Sequence, residues 1–173
     1  IMDGLVGSEM CIRDSFYQVG VGVGSKALKQ AADQLGFQQK TGIEIGWEES
    51  VGLVGDEPWA DRGRGWAEPG TVPWIPEDMA SASIGQSVVQ ITPLQLARAY
   101  AVFANGGWLV TPHLAAGDID WMSPEHRTKV AMKPSTLQTI REGLRKVVEA
   151  GTGAGLNDPG IPVAAGKTGT AED

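Results

Sequence analysis

The chain has 173 residues, of which 42% are hydrophobic and 20% charged, the profile of a folded globular protein long enough for one sizeable core. Its 14 Lys and Arg against 21 Asp and Glu give a net charge of −7, which argues against a nucleic-acid surface, since phosphate binding needs clustered cations. A single cysteine excludes an intrachain disulfide and a cysteine-based zinc cluster, and no run of about 18 apolar residues is present to span a membrane.

Residues 1–15 show neither helical nor strand periodicity. They are not a signal peptide, because Asp3 and Glu9 interrupt any apolar core and no basic head precedes them. The stretch resembles translated adapter sequence of the kind found at the ends of environmental sequence assemblies. It is expected to be non-native and disordered, with the native reading starting near Ser15 or Phe16, and Cys11 is set aside with it. Gly20-Val21-Gly22-Val23-Gly24 departs from a dinucleotide-binding loop because the third glycine comes one position early, so a structural turn is predicted. Ser25 then reads as an N-cap for a helix carrying Leu28, Ala31, Ala32 and Leu35 on one face, with Gly36 as its stop.

Lys40 to Ile45 reads as a turn into a short strand. From Gly46 to Ala80 regular patterns vanish; Trp47, Trp59, Trp66 and Trp74 fall there among Pro58, Pro69, Pro73 and Pro76. Such aromatics are expected to pin the loop to its own domain rather than to line a substrate surface. Thr92-Pro93-Leu94-Gln95 is a capping box with proline at the first helical position, opening a helix Pro93–Ala104. That helix is apolar nearly all round, with Gln95 and Arg98 as its polar positions, so it is expected to be buried in a larger body. Asn105-Gly106-Gly107 turns the chain into a strand at Trp108–Val110. His113 and His126 have no partner at metal spacing and are read as bystanders. Ser135 to Gln138 looks like a second capping box, and Leu137, Ile140, Leu144, Val147 and Val148 mark one helical face ending near Gly151. A Gly/Asn/Pro loop over 151–162 delivers a final strand.

That strand carries Gly166-Lys167-Thr168-Gly169-Thr170-Ala171-Glu172-Asp173, a cation with two hydroxyls and two open glycines, suited to hold an anion by charge-assisted hydrogen bonds. A phosphate-binding loop would need a glycine at 161, which is Ile161; Gly160 stands one residue too early, and Pro162 stiffens the loop that would cradle the phosphates. The competing chemistry is the Lys-Thr-Gly element of penicillin-recognising serine acyl-transferases, which belongs with Ser-x-x-Lys and a Ser-x-Asn-type motif.

Three segments stand in one order. They are Phe16-Tyr17-Gln18-Val19-Gly20 with the helix that follows and Lys40-Thr41-Gly42-Ile43; Ser83-Ile84-Gly85-Gln86-Ser87 with Thr92-Pro93-Leu94-Gln95 and Asn105-Gly106-Gly107; and Lys167-Thr168-Gly169-Thr170-Ala171-Glu172. Together residues 16–173 resemble part of the transpeptidase domain of a class B penicillin-binding protein, closest to the elongation type. The resemblance implies an α+β fold of the penicillin-binding and β-lactamase-like kind, represented by its helical part and the entry to its sheet. It implies acyl transfer on D-Ala-D-Ala stem peptides, with Lys167 and Thr170 in catalysis and Lys167, Thr168, Gly169 and Thr170 in substrate binding. In that scheme Lys167 supplies positive potential, the hydroxyls of Thr168 and Thr170 hold the substrate carboxylate, and the Thr170 amide is half of an oxyanion hole, worth about 3–4 kcal/mol in the transition state. Ile84-Gly85-Gln86 would support the floor of the site. No cofactor or metal is implied. The implied partners are peptidoglycan stem peptides and β-lactams, with no nucleic acid, in a parent protein anchored at the outer, periplasmic face of the bacterial cytoplasmic membrane within a cell-wall elongation complex.

Two departures limit what this chain does by itself. No serine is followed by lysine three residues on, and Ser-x-Asn is absent; its family position falls on Cys11-Ile12-Arg13. The chain is therefore expected to lack the nucleophile and to be inactive alone. A non-catalytic penicillin-recognising sensor or scaffold is the alternative reading.

Overall fold

A computed structural model of the chain describes residues 3–45, 48–63, 68–115, 120 and 123–169. The fold is mixed and predominantly helical. It divides into two compact units, Ile1–Ala97 with Pro112–Ala115, and Arg98–Thr111 with Ala116–Asp173.

The first unit opens with helix α1 (Asp3–Val23), which begins inside the stretch expected to be disordered and continues through the predicted glycine turn. Gly20 is buried in the helix because it lies against α4 (Pro76–Ser83): a Cβ there would come 2.3 Å from Ser83 Cβ. The missing side chain lets two helices approach closely, a tertiary reason that overrides the turn reading. Gly24 alone breaks the chain, at φ 81, and it takes the N-cap position expected of Ser25, which becomes the first residue of α2 (Ser25–Gln34). The far end of α2 follows the sequence: Gly36 is left-handed at φ 83, and the amides of Phe37 and Gly36 reach back to the carbonyls of Ala32 and Asp33, both at 3.1 Å. This 6→1 and 5→2 pairing is a Schellman stop.

The segment from Lys40 to Ile45 forms no strand. The region read as patternless contains β1 (Leu53–Val54), α3 (Glu57–Asp61) and α4. Each short helix is closed by an acid: Asp56 accepts from the Trp59 amide at 2.8 Å, and Asp78 from the Ile75 amide at 3.0 Å. Trp59 and Trp74 are half-buried, as loop-pinning residues should be; Trp47 and Trp66 lie outside the described residues. Strand β1 pairs antiparallel with β2 (Val89–Gln90).

Helix α5 (Pro93–Ala104) has the predicted bounds and capping box: Gln95 Oε1 accepts from the Thr92 amide at 2.9 Å, and Thr92 Oγ1 from the Gln95 amide at 3.1 Å. Gln95 is completely buried, and its Nε2 donates to the carbonyls of Gln39 and Val51, both at 2.9 Å. The expected all-round burial of α5 does not hold. Ala99 and Val102 are buried, while Leu96 and Tyr100 are 42% and 37% exposed, because no described element covers that side.

In the second unit, Asn105 locks the turn after α5 by exchanging hydrogen bonds with Trp108, 2.8 Å from its amide and 2.7 Å to its carbonyl. Strand β3 (Trp108–Val110) follows as predicted and pairs antiparallel with β4 (Arg127–Lys129), a strand the sequence did not announce. Arg127 and Lys129 lie 4.3 and 4.9 Å from the Trp108 ring centre, a cation–π arrangement that stabilises an otherwise polar strand. Helix α6 (Pro134–Ala150) has Lys133, not Ser135, at its N-cap, and no side chain caps it. Arg141 Nη2 donates to the Ala104 carbonyl at 2.8 Å, at the C-terminal end of α5. Of the predicted apolar face, Val148 is fully buried and Leu137, Ile140, Leu144 and Val147 are half-buried. Among the described residues no helix is long and apolar enough to cross a membrane.

Candidate functional site

The terminal segment reaches its position through α6. Gly151 and Gly153 fold the chain back by donating to the Val147 carbonyl at 3.2 and 3.0 Å, and a short 3-10 turn, Ala154–Leu156, leads away. The returning chain then docks on the helix: Arg145 Nη1 donates to the Ala164 carbonyl at 2.8 Å, and the Gly166 amide donates to the Leu144 carbonyl at 3.1 Å. Arg145 is itself held by Glu149 at 2.8 Å. Residues 163–169 are irregular, not the predicted strand, because no neighbouring strand is present among the described residues to pair with them.

This docking presents Lys167, Thr168 and Gly169 to solvent side by side. Lys167 Nζ lies 2.8 Å from the Thr168 carbonyl and 3.4 Å from Thr168 Oγ1. Thr168 Oγ1 lies 2.7 Å from the hydroxyl of Thr152, just beyond the end of α6. A cation and two hydroxyls are thus gathered on an open surface, a donor set suited to a carboxylate. Thr170, Ala171, Glu172 and Asp173 lie outside the described residues, so the oxyanion-hole expectation at Thr170 has no structural counterpart here.

The same tripeptide occurs a second time, in the Lys40-Thr41-Gly42-Ile43 of the first resemblance segment, and there it is filled from within. Glu49 Oε1 accepts from the Thr41 amide at 2.8 Å, and Thr41 is only 2% exposed. Burial is the largest influence on the Glu49 carboxyl and pushes it up. The Thr41 hydroxyl, the amides of Thr41 and Gly42 and the charge of Lys40 outweigh it and hold the group below its ordinary value. A second carboxylate does similar work nearby: Glu44 accepts from the amides of Leu114 and Ala115 at 2.9 and 3.3 Å. Its own amide and that of Leu114 hold it below the ordinary range. Both uses were legible in principle as an acid a few residues from a Lys-Thr-Gly or facing a loop, but only the fold names the pairs.

Ile84-Gly85-Gln86 closes α4, with the amides of Ile84, Gly85 and Gln86 returning to its last carbonyls. His113 Nδ1 lies 3.2 Å from the Ala115 carbonyl, and His126 Nε2 is 3.6 Å from Glu125. Among the described residues no group of three or more His, Cys, Asp or Glu is placed to hold a metal.

Comparison with known proteins places this architecture. The penicillin binding protein transpeptidase domain model matches residues 15–173, and the chain belongs to that family. The peptidoglycan D,D-transpeptidase MrdA of Acinetobacter baumannii is 33% identical over 163 residues, which cover 91% of this chain and 23% of that protein. A chain of a peptidoglycan synthase complex, solved to show how polymerization and crosslinking are coordinated, superimposes with a TM-score of 0.73 at 32% identity, over 93% of this chain and 26% of its own. The complex of a penicillin-binding protein (PBP2) with MreC from Helicobacter pylori gives 0.65 at 27% identity, over 79% and 24%. The chain spans about a quarter of the length of these relatives.

Proposed function

We propose that this chain is the part of a serine-type peptidoglycan D,D-transpeptidase that holds the substrate carboxylate. The observation that carries the reading is the exposed Lys167-Thr168-Gly169 segment, tied to α6 through Arg145 and Leu144. In the whole enzyme a serine supplied by sequence outside residues 1–173 attacks the carbonyl of the D-Ala-D-Ala bond. The new ester C–O bond forms, the C–N bond breaks, and the terminal D-alanine leaves carrying the proton. An amine of a neighbouring stem peptide then attacks the ester and restores the serine hydroxyl. Lys167 lends positive potential and joins the proton relay; Thr168 and Thr170 bind the carboxylate, with Gly169 keeping the surface open; the Thr170 amide stabilises the oxyanion. A β-lactam enters by the same contacts.

The parent protein acts at the periplasmic face of the cytoplasmic membrane, held by an anchor and partnered within a wall-elongation complex. The relatives solved with MreC and within a peptidoglycan synthase complex support the partnered part of that setting. Residues 1–15 are read as foreign to the gene; a family match that begins at residue 15 supports this, and resequencing the locus tests it.

Labelling with a fluorescent penicillin tests the function. The full-length protein should become covalently labelled in a serine-dependent way, and K167A should remove most of the signal. The 173-residue chain, having no Ser-x-x-Lys, should stay unlabelled. A full-length protein that binds penicillin reversibly and never acylates would instead establish a sensor.

A further inference from the structure

Thr152 lies outside the Lys-Thr-Gly motif, yet among the described residues its hydroxyl is the motif's closest side-chain partner, 2.7 Å from Thr168 Oγ1. A threonine hydroxyl owns one O–H to donate and two lone pairs to accept with. At Thr168 the ammonium of Lys167, 3.4 Å away, can only donate, so it takes one lone pair. A carboxylate can only accept, so Thr168 can bind one only with its O–H. Once the O–H is committed outward, the contact with Thr152 survives in one sense alone, with Thr152 donating to the second lone pair. We propose that Thr152 is a positioning residue for the carboxylate site: it donates to Thr168 Oγ1 and thereby fixes the Thr168 O–H toward a ligand carboxylate. This rests on the transpeptidase reading and deepens it.

The arrangement makes Thr168 a donor to the ligand and nothing else, which favours an anion over a neutral acceptor of the same shape. Position matters as much as chemistry. Thr152 sits on the turn where Gly151 and Gly153 return to the Val147 carbonyl, so its hydroxyl is held by α6, the same helix that holds Ala164 and Gly166. Helix and ligand segment are registered against each other from both sides of Lys167.

The test uses the full-length protein and two fluorescent penicillins, one with its free carboxylate and one as the uncharged methyl ester. Thr152→Val keeps the shape and removes the hydroxyl; Thr152→Ser restores a donor. Losing one such hydrogen bond should slow acylation by the free acid about tenfold. Reaction with the ester should change less than about twofold, and Thr152→Ser should recover the acid rate. A merely structural role would slow both probes alike, so equal losses overturn the proposal. An undiminished rate in Thr152→Val overturns it too, as does a serine variant as slow as the valine one. Failure of the wild-type protein to acylate at all would take down the transpeptidase reading itself, an outcome distinct from any of these.

Discussion

Gln95 offers the sharpest quantitative test of the fold, because one fully buried amide serves three backbone groups. Its Nε2 holds the carbonyls of Gln39 and Val51, and its Oε1 holds the Thr92 amide. Gln95→Ala strands all three. A buried group left without its partner costs about 1–3 kcal/mol, and the Gln39 and Val51 residues are exposed enough for water to relieve their carbonyls, which puts each loss near the lower end. The sum is about 3 kcal/mol, or about 150-fold in a local opening equilibrium. Gln95→Glu is isosteric but turns two donors into an acceptor facing two carbonyls. At pH 7 it should cost more than the alanine variant, about 3–5 kcal/mol. Burial against carbonyls raises its folded pKa above the unfolded value of about 4.3. The extra loss is therefore absent below that value and grows as pH rises through the folded one. Amide hydrogen exchange on the 173-residue chain reads this out at Thr92 and across β1 and β2. Exchange at these amides within about threefold of wild type in Gln95→Ala, or a glutamate variant milder than the alanine one at pH 7, would refute the reasoning.

Three further outcomes follow from single contacts. Gly20→Ala should cost about 2–3 kcal/mol by overpacking, seen as faster exchange in the second half of α1, and adding Ser83→Gly should recover most of it. Glu44 and Glu49 both titrate below their ordinary value of 4.5, so their contribution is present above that pH and lost as pH falls through the folded values. The amides of Leu114, Ala115 and Thr41 should lose protection below about pH 4.5, and in Glu49→Gln the Thr41 amide should lose that pH dependence. Arg145→Ala should release the Ala164 carbonyl and raise exchange at the Gly166 amide about five- to tenfold, since a charged donor to a half-exposed carbonyl is worth about 1 kcal/mol. No change at Gly166 would mean that the docking does not depend on this arginine.

The legible parts of the fold were those whose signals are local. Gly36 announces the end of α2 because only the residues around it make the Schellman bonds, and Thr92 announces α5 because it directly precedes the proline that must be the first helical residue. The same proline logic explains the failure at Ser135. Pro134 is the first helical residue there, so the cap position falls to Lys133, which has no side-chain acceptor. Asp56 and Asp78 carried equally local signals for α3 and α4, hidden by the density of tryptophan and proline around them. Strand β4 had no local signal at all: Arg127-Thr128-Lys129 becomes a strand because β3 needs a partner and Trp108 accepts its cations. Gly20 reads as a turn until Ser83 is placed beside it. Lys167 and Thr168 are proposed from the sequence, while Thr152 and Arg145, 15 and more residues away, are brought beside that segment only by folding.

The two Lys-Thr-Gly tripeptides show why a motif is not a site until its surroundings are known. At 40–42 the hydroxyl and amides face Glu49, a carboxylate from the same chain, and Thr41 is sealed from solvent. The tripeptide there recognises an anion, and the anion is covalently supplied, so its recognition is spent on holding a loop. At 167–169 the same residues stand exposed, and among the described residues the Thr168 hydroxyl is met by Thr152 and not by an acid. Identical chemistry gives a structural clasp in one place and, under the proposed function, an open receptor in the other. An acid introduced beside the second copy should convert it: Gly153→Glu places a carboxylate one residue from Thr152, on a turn that also carries the Val147 contact. Charge brought within about 4–6 Å of Lys167 competes directly with a ligand carboxylate. Penicillin acylation of the full-length protein should fall in this variant and recover as pH drops through the carboxylate range, whereas Gly153→Gln, of equal bulk, should show a pH-independent rate over the same interval. Parallel pH profiles for the two variants would mean that the exposed copy does not select its ligand by charge.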